Sequence, residues 1–243
     1  MLNAMSAKLA KALETLEAFY GAQEVPWPTD PYRYLIWLHC GYPASDERCS
    51  KGWESLQKTV GLEPSQILAA SPTILAKALT HGGMVPALRA ERLKEIATRV
   101  VNECAGDLKA ALAGPVLGAR RLLKRFPNIA DPGADRILLF AGLSPTAAVP
   151  SNCPHVIVRI MRGQERENYS RTYEEAQQEV RNLPENFEAR RRAFLLLKRH
   201  GQDQCKRAHP KCECCPINDL CAFTLGHHRG GLQRPQQRSS CKP

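Results

Sequence analysis

Apolar positions along this chain recur at intervals of three and four residues, the period of one helix face. From Ala4 to Tyr20 the series is Leu9, Leu13, Leu16, Phe19 and Tyr20. Few segments alternate with the period of two that marks a half-buried strand, and Val-rich runs are scarce. The pattern therefore predicts an almost wholly helical protein. The stretch 23–31 carries Pro26, Pro28 and Pro31 and reads as a linker. Helices are expected over about 32–40, 46–60, 64–79, 87–105 and 115–125. A short link, Phe126-Pro127-Asn128-Ile129-Ala130-Asp131, precedes the next helix. Asp131 is suited to its N-cap and Pro132 to its first turn, where a missing N–H costs nothing. That helix carries Ile137, Leu138, Leu139 and Phe140 and ends near Gly142. Further helices are expected over 152–162, 171–182 and 186–200. After Gly226 the sequence turns to Gly, Arg, Gln and Ser, so 226–243 reads as a basic disordered tail. No internal repeat is present.

Composition narrows the class. The chain has 243 residues, 43% apolar and 24% charged, which is a globular balance. Its length suits one large domain or two small ones sharing an interface. No run of about 18 apolar residues exists, so no membrane span is expected. The first residues lack the apolar core of a signal peptide, so a cytoplasmic protein is expected. The 34 Lys and Arg exceed the 24 Asp and Glu and leave a net charge of +10. Such a surplus favours a polyanionic partner, although a merely basic surface would show the same sum.

The cysteines are more specific. Cys40, Cys49, Cys104 and Cys153 are scattered and Cys241 lies near the end, but five fall within the 17 residues from Cys205 to Cys221. Cys205, Cys212, Cys215 and Cys221 have the spacing C-x6-C-x2-C-x5-C, which leaves Cys214 as a bystander. Short loops can bring four such thiolates onto one site. Structural zinc and a [4Fe–4S] cluster both accept four thiolates, and the cysteine count does not separate them. The first loop, Lys206-Arg207-Ala208-His209-Pro210-Lys211, carries three fixed positive charges. Anchored beside a metal site, Lys206, Arg207 and Lys211 are candidate phosphate contacts.

The run His200-Gly201-x3-Cys205-x6-Cys212-x2-Cys215-Pro216-x4-Cys221 resembles the C-terminal iron–sulfur loop of the endonuclease III family, the helix-hairpin-helix base-excision-repair glycosylases. The resemblance implies a [4Fe–4S] cofactor and a loop that touches the DNA backbone. It also implies a hairpin, of pattern Leu-Pro-Gly-Val-Gly-x-Lys-x-Ala, some 70–80 residues upstream. The stretch 126–135 stands at that place, with Phe126, Pro127, Ile129 and Ala134 fitting. Pro43-Ala44-Ser45-Asp46 and Arg89-Ala90-Glu91-Arg92-Leu93 fall where the family has Gln-Ala-Thr-Asp and a Lys-Ala-x-x-Ile helix start. The ordered likeness covers about 30–225. Pro127, Asn128, Ile129 and Ala130 become candidate DNA contacts by the same route.

The departures bear on activity. The two hairpin glycines of the family become Asn128 and Ala130; Asn tolerates the left-handed region and Ala does so poorly, so a weakened hairpin is expected. The family's lyase Lys falls on Pro132, which has no amine to attack the sugar C1′. The family's essential Asp, in Val-Asp-x-His-x-x-Arg-Val, falls on Pro150, which has no carboxylate to stabilise a developing oxocarbenium charge. Adenine glycosylases of the superfamily dispense with the Lys but keep the Asp. Asp131, Asp135 and His155 are the weak substitutes, and Lys124 can be asked to reach from the preceding helix. His81, before Gly82-Gly83, lies in a turn. Two basic runs, Arg120-Arg121 with Lys124-Arg125 and Arg190-Arg191-Arg192 with Lys198-Arg199, precede the hairpin and the cysteine loop.

The resemblance thus implies an all-α fold of two lobes with a C-terminal iron–sulfur loop. The iron–sulfur lobe would take 1–31 and 142–225, and the helical barrel 32–141, with the hairpin near 118–141. The expected function is recognition of damaged or distorted double-stranded DNA by a monomer with standard glycosylase and AP-lyase catalysis impaired or absent. An active glycosylase with displaced catalytic groups, an iron–sulfur redox module and a zinc-stapled helical protein are the alternatives.

Overall fold

The computed structural model describes residues 2–229, and every structural statement here concerns those residues. They form an all-helical protein with no strand among them. None of the helices is long and apolar enough to cross a membrane. The chain divides into two compact units, Met1–Glu24 with Pro145–Pro243 and Val25–Ser144.

Helix α1 (Leu2–Tyr20) belongs to the first unit. The second unit follows with α2 (Pro31–Gly41), α3 (Asp46–Thr59), α4 (Pro64–Ala69), α5 (Pro72–Ala78), α6 (Pro86–Glu103), α7 (Leu108–Ala111), α8 (Val116–Leu123) and α9 (Asp131–Phe140). The single helix expected over 64–79 is two. Ser71 accepts from the Ile74 amide as an N-cap and Pro72 opens a fresh first turn, so the helix must restart there. Leu35, Ile36, Leu56, Ile67, Leu75, Leu93 and Ile96 are fully buried. The Pro-rich linker is also anchored, because Trp27 packs edge-on against Phe140 and beside Trp37.

The turn at His81-Gly82-Gly83 has a packing cause. A Cβ on Gly82 would run into the Cys40 carbonyl. Buried Arg89 donates to the carbonyls of Cys40 and Gly41, both at 3.1 Å, and so caps the end of α2.

The first unit resumes with α10 (Pro154–Arg162), α11 (Tyr169–Arg181), α12 (Phe187–Asp203) and α13 (Ala222–Arg229). Leu9, Leu13 and Leu16 of α1 share one core with Val156, Ile157 and Ile160 of α10, Val180 of α11 and Leu196 and Leu197 of α12. A docked N-terminal helix of this kind buries about 1.5–3 kcal/mol of transfer free energy per large apolar side chain. The tail expected from Gly226 does not begin there: α13 runs through Arg229, its start fixed by the Thr224 hydroxyl donating to the carbonyls of Asn218 and Cys221. The remaining tail residues, including Cys241, lie outside the described residues.

Candidate metal centre and nucleic-acid interface

The cysteine loop is the connection between α12 and α13. Cys205, Cys212, Cys215 and Cys221 are all free thiols. All four line one small cavity together with Arg159, Ile160, His200 and Phe223. Its empty volume is about 320 Å³, part of it open to solvent. Cys214 is not among them; it is disulfide-bonded. Burial raises the Cys205 thiol to about 11 and the Cys215 thiol to about 12, and raises Cys212 as well. Without a cation these are neutral thiols, and a metal that took them would displace their protons. Among the described residues no three His, Cys, Asp or Glu side chains are gathered tightly enough to hold a single metal ion.

Four side chains besides the cysteines hold the loop. His155 and Arg159, one turn apart on α10, both face it. His155 Nε2 donates to the Cys205 carbonyl at 2.8 Å, and burial lowers the pKa of its ring. Arg159 donates to the carbonyls of Lys206 and Arg207, both at 2.9 Å, and its Nη1 lies 3.8 Å from Cys205 Sγ. Glu165 closes the fork, with Oε1 2.6 Å from Arg159 and Oε2 3.2 Å from Arg207. His200, at the end of α12, is fully buried; its Nε2 stands 3.7 Å from Cys215 Sγ and its Nδ1 3.1 Å from Tyr20 Oη. Gly201 is required by its neighbour, since a Cβ there would come within 2.6 Å of Cys153 Cβ. The His-Gly pair before the cysteines is therefore a tether followed by a close approach. Arg159 and Glu165 carry no sequence signal of their own; their helical offset from His155 and the loop after α10 would have had to be known.

In the other unit the hairpin joins α8 to α9. Phe126 and Ile129 are buried and pin it, while Asn128 and Ala130 are exposed. Asn128 has φ of +56°, the left-handed conformation the turn demands. Ala130 has φ of −106° and ψ of −174°, ordinary extended backbone. The expectation of strain at Ala130 is thus corrected, because only the first of the two positions needs a left-handed residue. Beneath the turn lies buried His39. Its Nδ1 donates to the Leu35 carbonyl at 2.8 Å, and its Nε2 accepts from the side-chain Nδ2 of Asn128 at 3.4 Å. Burial lowers the His39 pKa to about 4. No backbone–backbone hydrogen bond among the described residues uses the amides of Asn128 or Ala130.

Asp131 is not the N-cap. The cap is Ala130, without a side-chain bond, and Asp131 already belongs to the helix; its carboxylate reaches Lys124 Nζ at 2.9 Å. Asp135 is not a solvated first-turn charge but a buried one, 1% exposed, paired with Arg120 at 2.6 Å. Pro132 is half-buried in the first turn of α9, and Pro150 is buried in the stretch before α10.

Much of the basic character is consumed inside each unit. Arg120, Lys124 and Arg125 pair with Asp135, Asp131 and Glu103. Arg190 is buried and donates to the Pro145 carbonyl, Arg191 lies over Phe187, Arg192 pairs with Glu17, and Arg199 lies over Tyr20. In the cysteine loop Lys206, Arg207 and Lys211 are all exposed, with Arg207 held by Glu165.

No protein-family model matches the sequence, and no curated protein matches it. Solved structures do. A thermostable thymine-DNA glycosylase superposes with a TM-score of 0.72 at 23% identity, covering 92% of this chain and 99% of that one. A trapped endonuclease III–DNA covalent intermediate, an estranged-adenine complex, matches at 0.72 and 16% identity, over 92% and 99%. A non-covalent endonuclease III–DNA complex matches at 0.72 and 17% identity, over 92% and 98%. At such identities the likeness is one of fold, and the fold of this chain is that of endonuclease III.

Proposed function

We propose that the chain is a DNA-binding protein of the base-excision-repair type that recognises damaged or distorted duplex and lacks the standard glycosylase and AP-lyase chemistry. The observation that carries this reading is the endonuclease III fold with Pro132 and Pro150 at the two positions where the resemblance calls for an amine and a carboxylate. A proline can supply neither a Schiff-base nucleophile nor a charge to balance an oxocarbenium ion. Of the substitutes, Asp135 is engaged with Arg120 and His155 with the Cys205 carbonyl. Binding asks less. The hairpin offers the amides of Asn128 and Ala130, and the cysteine loop offers Lys206, Arg207 and Lys211 to phosphates. Bending of a weakened duplex would supply selectivity without base contacts.

The same reading gives the four thiols a cofactor. Four thiols around one cavity fit the [4Fe–4S] cluster that the resemblance implies, which takes one cysteine on each iron. Cys205, Cys212, Cys215 and Cys221 would hold it. When bound, such a cluster would tie the loop's own four cysteines together and supply a one-electron couple. Arg159 and His155 would fix the loop's backbone, and the loop would present its three cations outward.

A second reading keeps enzymatic activity. Lys124 and Asp131 form an exposed amine–carboxylate pair at the hairpin, next to Pro132, and favour a displaced lyase centre. One experiment separates the readings. Anaerobically purified protein in excess is mixed with duplexes carrying an abasic site or a damaged base. Each sample is run native and denatured, the damaged-base duplexes after alkali and the abasic duplex without it, since alkali alone cleaves an abasic strand. A retarded band with intact strands supports binding without chemistry. Strand cleavage, or a borohydride-trapped adduct lost in Lys124→Ala, supports the displaced centre. Neither retardation nor cleavage overturns both.

A further inference from the structure

Tyr20 and His200 form a part-buried chain of polar groups that ends on a cysteine sulfur. Tyr20 closes α1, His200 lies near the end of α12, and Cys215 sits in the loop beyond it. Oη of Tyr20 is 3.1 Å from His200 Nδ1, and His200 Nε2 is 3.7 Å from Cys215 Sγ. The imidazole is 1% exposed, so its ring cannot turn to water for other partners. The direction of the chain is settled by what each end can do. A thiolate bound to iron has no proton and can only accept. Nε2 must then carry the imidazole proton, Nδ1 must be the bare nitrogen, and the phenol must donate to it.

On the reading that the four thiols hold a [4Fe–4S] cluster, we infer that His200 donates an N–H···S hydrogen bond to Cys215, that Tyr20 fixes the tautomer which allows it, and that the pair sets the electron density on that ligand and raises the cluster's potential. The cause is electrostatic. A donor on a ligating sulfur withdraws charge from the iron–sulfur bond and favours the more negative, reduced state. The N-terminal helix thereby becomes part of the cofactor's outer shell, although Tyr20 lies 180 residues from His200 in sequence. His200 is a positioning residue here and not a ligand.

The test uses full-length protein purified anaerobically, with His200→Leu, His200→Gln and Tyr20→Phe variants. Iron and sulfide content is measured first. Sulfur K-edge absorption then reads iron–sulfur covalency without any change of redox state, and film voltammetry reads the potential, the electrode supplying the single electron. The expected result is a stronger pre-edge feature and a more negative potential in His200→Leu, a smaller change of the same sign in Tyr20→Phe, and partial recovery in His200→Gln, whose amide can still donate. Full iron content with unchanged covalency in His200→Leu would overturn the inference and leave the cluster standing. If His200→Leu fails to fold, unchanged covalency in Tyr20→Phe does the same. Parent protein with no iron or sulfide would overturn the cluster, and this inference with it.

Discussion

Arg159 is the side chain on which the cysteine loop depends most, and the cost of losing it can be worked out. Its guanidinium is 6% exposed and makes three charge-assisted hydrogen bonds, to the carbonyls of Lys206 and Arg207 and to Glu165. Hydrogen bonds to charged groups contribute about 1.5–3 kcal/mol each. Their sum overstates the loss, because Lys206 and Arg207 are exposed and their carbonyls rehydrate, while Glu165 is 22% exposed and partly solvated already. Removing the guanidinium also relieves its own desolvation. A net loss of about 3 kcal/mol, the lower end for breaking a buried pair, is therefore expected for Arg159→Met. Methionine keeps an unbranched apolar stem beside Phe223, so little packing is lost. For a chain of this length that is a drop of roughly 6–12 °C in Tm by far-UV circular dichroism. Arg159→Lys should recover less than half of it, since one ammonium cannot span two carbonyls and a carboxylate as a planar fork does. Added salt should change the gap little, because the guanidinium is buried and two of its three bonds go to neutral carbonyls. A Met variant melting within about 2 °C of the parent, or a Lys variant matching the parent, would refute the fork as the organiser of the loop.

Other perturbations reach other parts of the molecule. Asp135→Asn removes the buried anion facing Arg120 and should cost about 2–3 kcal/mol, less than a fully buried pair because Arg120 is 29% exposed and can turn to water; a urea midpoint equal to the parent's would count against it. His39 has a folded-state pKa of about 4 against 6.5 ordinarily, so the unfolded chain binds its proton first; stability should fall as pH drops from about 6.5 to about 4, by up to about 3 kcal/mol at 1.36 kcal/mol per unit, and His39→Gln should flatten that slope. Gly201→Ala forces a Cβ to 2.6 Å from Cys153 and should cost about 1–3 kcal/mol in a denaturant titration, whereas an unchanged midpoint would mean that Cys153 yields freely. Lys206→Ala with Lys211→Ala should lower the slope of log affinity for duplex against log salt by about 1.8, and an unaltered slope would remove the loop from the interface.

The sequence made the helices legible because their apolar faces repeat, and it made the cysteine loop legible because four thiols at fixed spacing have few other uses. It misread places where a local rule met a tertiary partner. Asp131 beside a proline looks like a cap, yet a lysine seven residues back takes its carboxylate and the helix begins one residue earlier. Asp135 looks like a first-turn surface charge, yet Arg120 fifteen residues away lets it be buried. The 64–79 helix broke at Ser71-Pro72, which was visible in the residues but outweighed by continuous apolar spacing. Arg159 and Glu165 were not legible at all, because nothing in an isolated Arg or Glu says that it will meet a loop nearly fifty residues on.

The basic residues make the strongest case for separating charge from function. The run before the hairpin and the run before the cysteine loop both look like phosphate contacts by position. In the folded units most are engaged with acids, carbonyls or aromatic rings of the same unit. The exposed cations of Lys206, Arg207 and Lys211 stand on a loop whose backbone is held by two buried cationic or imidazole side chains. Burying Arg159, His155 and His200 together costs free energy that a simple surface loop would not require. Such a network is explained if the cavity it surrounds is filled by something that gathers four thiolates, and if the loop's outward charges must be held in register against a rigid polyanion. A duplex has that rigidity and that spacing of charge. The proposed binding would account for the hairpin, the loop and its buried supports, whereas bond-breaking chemistry would still need groups that Pro132 and Pro150 do not supply.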